Sequence, residues 1–281
     1  MKFFMFFISF FAQMLYTIVV AGSRDHMDTN RLLDMAAFAG KLLIESGAEI
    51  YRVEETMVRL CTCFHEVEDA QSFVTPTGIM FSITVDQQTL TKVLRVKSRG
   101  TDLNCIDKIN DLSRRATQHS YSIDEIWKEL QDIANEKRYG FWTTLFFGAL
   151  SALGFAIFFH GTWKEAIVSF IIGMLIKTVS FLLEKREWNV FFTNALSAGL
   201  AAIAALGFQY MDQGIHSDIV IISSIMLLVP GLAITNAVRD TMAGDYLSGV
   251  SRATEAFLIA VAIAVGIGLV LSMSIRFKGG L

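Results

Sequence analysis

Five apolar stretches of membrane length follow one another after residue 140, at about 141–160, 165–183, 189–209, 218–238 and 254–275. Crossing the hydrocarbon core of a bilayer takes about 20 apolar residues of helix, and inside it every backbone N–H and C=O must be paired within the chain. Consecutive runs of this kind leave essentially one architecture, a bundle of helices. The first half of the chain is built differently. Residues 22–140 hold 15 of the 24 Lys and Arg and 19 of the 27 Asp and Glu, whereas residues 141–281 hold only 8 of each. The sequence therefore predicts a small α+β domain over 27–138, followed by an α-helical membrane bundle of about five transmembrane helices over 139–281. An apolar content of 53%, with 23 Phe against 2 Pro, departs from the balance of soluble domains in the same direction.

Residues 1–26 form a further hydrophobic segment, with 3–20 about long enough to add one N-terminal helix. Three readings fit it. It is a native first span, a segment joined at Gly22-Ser23-Arg24-Asp25-His26 to a start at Met27, or a signal peptide cut after Val20-Ala21-Gly22. The last needs a more basic beginning than Lys2 alone supplies, and it would place the later basic loops on the wrong side.

From Asp28 the apolar positions Leu32, Met35, Ala36, Ala39, Leu42 and Leu43 recur at helical spacing, with Asp28 or Asn30 placed to cap the start. Ser46 and Glu49 have capping-box spacing and predict a second helix over Ala48–Cys63. Partly alternating, β-branched segments at Val67–Val74, Ile79–Val85 and Leu90–Val96 predict a three-stranded meander. Helices near Asp102–Arg115 and Ile123–Lys137 complete the domain, the second with Ser122 and Glu125 as its capping box.

Lys137 and Arg138 precede the first span, Lys185 and Arg186 join the second to the third, and Arg239 and Arg252 join the fourth to the fifth. Cytoplasmic loops carry the excess of Lys and Arg, so the α+β domain is expected in the cytoplasm and the bundle in the inner cell membrane. Ala260, Ala264 and Gly268 repeat every four residues in the last span and predict a face for close helix packing, as do Ala195, Ala198, Gly199, Ala202 and Gly207 in the third. Phe141, Phe146, Phe147, Phe155, Phe158 and Phe159 mark the first span as lipid-facing.

The fourth apolar stretch contains Pro230-Gly231. Proline removes a backbone hydrogen bond and clashes with the preceding turn, so the helix is expected to break there. Broken backbone at membrane depth is tolerated where it lines a cavity, which is how transporters build binding sites. Past the break, Asn236 and Asp240 fall on one helix face with Arg239 beside them. Ionisable groups at membrane depth mark substrate or proton pathways, and the competing reading places Arg239 and Asp240 in the interface, outside the hydrocarbon. Arg252 adds a second guanidinium suited to a carboxylate, or else pairs locally with Glu255. Lys177 and Asn194 complete the candidate substrate-binding set; the first could instead snorkel to the interface and the second bond a neighbouring helix. In the first domain Gly47, Glu49, Arg52 and Glu54 cluster at a helix start, where a local Glu49–Arg52 pair on a solvated face is the simpler reading.

The remaining chemistry is excluded by type. A net charge of −3 without a basic stripe argues against nucleic acid. Cys61, Cys63 and Cys105 lack zinc spacing and read as reduced thiols, and the 5 His show no ligand pattern, so neither metal nor cofactor is expected. No phosphate-binding Gly-rich loop, nucleophile elbow or metalloprotease motif occurs, so the chain is not read as an enzyme.

Three stretches together resemble the threonine/serine exporter family: Ser46 to Glu54 (SGAEIYRVE), Arg99 to Leu103 (RGTDL), and Leu227 to Gly231 (LLVPG) running on to Asn236 to Asp240 (NAVRD). The resemblance spans about 30–275 and is most specific in the third stretch. It implies export of small polar metabolites, threonine and serine in long forms and dicarboxylates such as succinate in some split forms. Long members carry about ten spans, so about five here implies the larger half of a split system, completed by a separate small membrane protein within an oligomer. The opposing class is a membrane-anchored sensor or scaffold whose first domain binds a ligand without transport.

Overall fold

The computed structural model describes residues 28–97, 100–136 and 139–278. The N-terminal segment 1–26, and with it the choice among its three readings, lies outside the described residues, as does Arg99. By contacts the chain divides into two compact units, one of 52–133 with the residues up to Ser46, the other of 47–51 with the residues from Ala134 onward.

In the first unit, α1 (Thr29–Glu45) starts at Asp28, whose carboxylate accepts the Arg31 N–H at 3.1 Å. Of the predicted stripe, Leu32, Met35, Ala36, Ala39 and Leu43 are fully buried and Leu42 partly so. The second helix, α2 (Ile50–Thr62), begins two residues later than its capping spacing predicts. The meander is β1 (Val67–Thr75), β2 (Gly78–Val85) and β3 (Gln88–Arg95), antiparallel in sequence order. Its second turn is two residues long, with Asp86 at φ 50° and Gln87 at φ 61°, the left-handed pair that matches strand twist in a tight hairpin. Alternate β2 residues Ile79, Phe81 and Ile83 point into the core, where α1 packs on β2 and β3. Helices α3 (Leu103–Gln118) and α4 (Ile123–Asn135) follow. The α4 capping box forms as predicted, Ser122 N–H donating to Glu125 Oε2 at 2.8 Å and Glu125 N–H to Ser122 Oγ at 3.3 Å.

The same unit holds Cys61 and Cys105, both buried, and Cys63, partly so. Burial pushes the Cys61 thiol well above its ordinary value and Cys63 up to about 11. Thiolate is the reacting form and appears only as pH rises through the thiol value. Cys61 and Cys63 of the native protein are therefore expected to resist iodoacetamide near neutral pH and to react only toward strongly alkaline pH. Quantifying alkylation of each residue by mass spectrometry checks this, and rapid neutral labelling of either would contradict it.

Among the described residues the second unit contains four helices long and apolar enough to cross a membrane: α5 (Phe141–Phe158), α6 (Trp163–Glu184), α7 (Val190–Met211) and α10 (Tyr246–Lys278). The fourth expected span is not one helix. It is divided into α8 (Ser217–Ile225) and α9 (Gly231–Ala243), separated by 226–230 at the predicted proline. Two neighbouring helix pairs, α5–α6 and α7–α10, form the most extensive contacts, and α8 packs against α5, α6 and α7. On α5, Phe146, Phe147 and Phe158 face outward while Ala149, Ala152 and Ala156 are buried. The packing face of α10 differs from the one its four-residue repeat suggests. Ala260, Ala264 and Gly268 are exposed, and the buried line is Arg252, Ala256, Ile259, Ile263 and Gly266.

Candidate functional site

The helix break places α9 as a short, separately started helix, and the left-handed Gly244 (φ 98°) turns the chain directly into α10. Because α10 begins at Tyr246, Arg252 lies two turns inside it instead of at its start. Within the second unit, α9 and the first turns of α10 pack together and address the short segment 47–51. Gly47 there has φ 86°, a conformation open to glycine and strained for other residues.

Four polar side chains connect these elements. Asn236 Nδ2 donates to the Gly47 carbonyl at 2.8 Å, and Arg252 Nη2 donates to the Ala48 carbonyl at 2.7 Å. Asp240 Oδ1 accepts the Ile50 N–H at 3.0 Å, and the Arg239 guanidinium pairs with the Glu49 carboxylate. Arg252 Nε stands 3.1 Å from Asp240 Oδ2, an ion pair whose angle lies off a hydrogen bond. Asp240 is fully buried, and Asn236 and Arg252 nearly so. The predicted common face of Asn236 and Asp240 thus turns inward, leaving Arg239 between them half exposed. Asp240 lies beyond the apolar stretch 218–238, and burial pushes its carboxyl above the ordinary value, against the pull of the Ile50 N–H and Arg252.

Contacts distant along the chain join the local pairings that the sequence suggests. The Ile50 N–H, first of α2, is served by Asp240, 190 residues away, where the Ser46–Glu49 spacing predicts a local start two residues earlier. Glu49 reaches Arg239 and Arg252 reaches Asp240, rather than their i+3 neighbours alone. Other candidates lie elsewhere. The Lys177 stem runs over Gly148 of α5, and Asn194 donates to the Val190 carbonyl of its own helix at 2.9 Å. In the first unit Glu54 accepts the Val74 N–H at 2.8 Å, and Arg52 lies on the same helix. Pro230 and Gly231 start α9, their part being to end one helix and begin another.

Two features escaped the sequence reading. Glu165 is fully buried at the start of α6, where it accepts the Thr162 N–H at 2.7 Å and the His216 N–H at 3.1 Å, with His216 Nδ1 at 2.8 Å. The spacing of Thr162 and Glu165, that of a capping box, carried the signal. Inside the bundle the hydroxyls of Ser169 on α6, Thr193 and Ser197 on α7, and Ser224 at the end of α8 are buried without a hydrogen-bond partner.

The sequence pattern of the family described as "Putative threonine/serine exporter" matches residues 34–274. The chain belongs to the threonine/serine exporter family. It is 23% identical over 242 residues to the "Probable threonine/serine exporter" of Mycobacterium tuberculosis, covering 85% of this chain and 45% of that protein. The "Threonine/serine exporter" of Corynebacterium glutamicum is 24% identical over 83% of this chain and 49% of its own length. The "Probable succinate transporter subunit YjjP" of Escherichia coli is 26% identical over 79% of this chain and 86% of its own. The chain thus spans about half the length of the first two relatives and most of the third. No solved structure matches it. Family membership and four helices of crossing length identify a membrane protein.

Proposed function

We propose that this chain is one subunit of a secondary exporter that carries small carboxylate metabolites out across the inner cell membrane, with proton movement through Asp240. The observation that carries this reading is the buried set of Asp240, Arg252 and Asn236 directly after a broken apolar stretch. Burying ionisable groups beside a bilayer is costly, and such groups are associated with substrate and proton routes. A guanidinium fork matches a carboxylate, and the unpartnered hydroxyls on α6, α7 and α8 offer further polar contacts along the bundle. Names carried by the relatives support threonine, serine or a dicarboxylate such as succinate as cargo. The coverage of about half of the longer exporters, and the word subunit in the E. coli relative's name, support a separate small membrane protein as partner. The basic residues Lys185, Arg186, Arg239 and Arg252 support a cytoplasmic first domain.

The test is efflux of preloaded threonine, serine and succinate, each measured separately, from vesicles containing this protein with and without its small membrane partner. The expected result is flux of at least one that requires both chains and collapses with the proton gradient. No flux of any of the three, together with ligand binding to this chain, would replace the exporter by a sensor.

A further inference from the structure

The exporter reading leaves open why α9 and α10 aim four polar side chains at one five-residue segment of backbone. Taken together, Gly47 O and Ala48 O as acceptors, the Ile50 N–H as donor and the Glu49 carboxylate present the same groups as a small polar carboxylate metabolite. Charge agrees with this. Glu49 and Asp240 balance Arg239 and Arg252, so the cluster is neutral as it stands; withdrawing Glu49 leaves one guanidinium uncompensated, and an incoming carboxylate restores the balance. Exposure divides the cluster into two parts. Asp240, Arg252 and the Glu49 side chain are buried, the last at 10% exposure, while the Arg239 side chain is 54% exposed, so the Arg239 guanidinium is the face a carboxylate can approach without opening the buried ion pair. Water reaching the Arg239 guanidinium screens its pair with Glu49, which makes competition by a free carboxylate feasible.

Resting on the exporter reading, we propose that Glu49 is the resident occupant of a carboxylate site built by Arg239 with Asn236, Asp240 and Arg252, and that substrate enters by displacing it. Segment 47–51 is then a tethered substrate mimic. An internal competitor lowers apparent affinity by the fraction of time it leaves the site free. Removing it therefore raises affinity, whereas removing a purely structural tie would only weaken the protein.

The experiment uses the full chain reconstituted with its partner, and Glu49→Gln, which removes the charge and keeps the size. Initial rates of efflux are measured against succinate, threonine and serine in separate arms. Glu49→Gln is expected to lower the half-saturating concentration of the transported compound about fivefold to tenfold, and a second change, Arg239→Gln, to abolish that gain. An unchanged or higher half-saturating concentration in a variant with wild-type thermal stability overturns the proposal. Should Glu49→Gln fail to fold, Glu49→Asp, which keeps the charge but shortens the reach, decides by the same reading. If wild type moves none of the three compounds, the exporter reading fails on its own. The displacement idea is then judged by thermal shift of the purified protein, where Glu49→Gln must respond to one of them at lower concentration than wild type; equal responses overturn it.

Discussion

Replacing Asp240 with alanine is expected to destabilise the protein by about 3–5 kcal/mol, the cost of leaving a buried ion-pair partner behind. The carboxylate is fully buried, accepts the first N–H of α2, and stands 3.1 Å from the Arg252 guanidinium, itself 8% exposed. Alanine removes both services, so a buried cation loses its counter-charge and the Ile50 N–H loses its acceptor. Asp240→Asn is the more informative change. An amide oxygen can still accept from Ile50 and keeps the size, so Asp240→Asn is expected to cost less than alanine although Arg252 still loses its counter-charge, while the titrating proton is gone. Efflux should then fall sharply and its pH dependence flatten; intact efflux with an unchanged pH profile would remove Asp240 from the proton route. A stability measurement gives a second readout. Burial raises this carboxyl above its ordinary value, so the native state holds its proton more readily than the unfolded state does. Its contribution to stability therefore declines as pH rises from the ordinary carboxylate range to the raised value and is level above it. Thermal unfolding of the detergent-solubilised protein across that window should show this decline in wild type and lose it in Asp240→Asn.

The parts of this structure set by local chemistry were legible in the sequence. Apolar runs predicted the crossing helices, Ser122 and Glu125 predicted the start of α4, and Pro230 predicted the interruption between α8 and α9. Four-residue spacing put Asn236 and Asp240 on one face, and both are buried. What the sequence hid is the identity of partners distant along the chain. Ser46 and Glu49 have the spacing of a cap, and that pattern says nothing of a carboxylate arriving from 190 residues away to take the next N–H along the chain, that of Ile50. Arg252 and Glu255 have the spacing of a helix-surface pair, and that spacing does not reveal that α10 begins at Tyr246, which puts Arg252 on the packed face beside Asp240. The small residues of α10 show a third limit. A strict four-residue repeat drifts around a helix of 3.6 residues per turn, so composition alone does not tell which small residue meets a neighbour.

Gly266 is that residue, and Gly266→Leu is expected to disrupt the pairing of α7 and α10. A Cβ at Gly266 would lie 2.1 Å from the Ala195 carbonyl oxygen and 3.0 Å from its carbon, both backbone atoms of α7. From the other side, a Cβ at Gly199 would lie 3.3 Å from the Gly266 carbonyl oxygen, so the two helices meet glycine to glycine. Within lipid there is little hydrophobic drive between helices, and close backbone approach supplies much of the association. A backbone obstacle cannot rotate aside as a side chain can, so the helices must separate and lose contact along their length. Overpacking of a tight interface typically costs about 1–3 kcal/mol, and a backbone clash with a side chain as large as leucine belongs at or beyond the upper end. The companion change Gly268→Leu provides the control. Nothing lies within 4 Å of a Cβ there, although Gly268 belongs to the more conspicuous repeat with Ala260 and Ala264. Thermal unfolding of the protein purified without its partner should therefore drop by many degrees for Gly266→Leu and stay near wild type for Gly268→Leu. The reverse order would mean that the four-residue repeat, and not the Gly199–Gly266 contact, holds the bundle together.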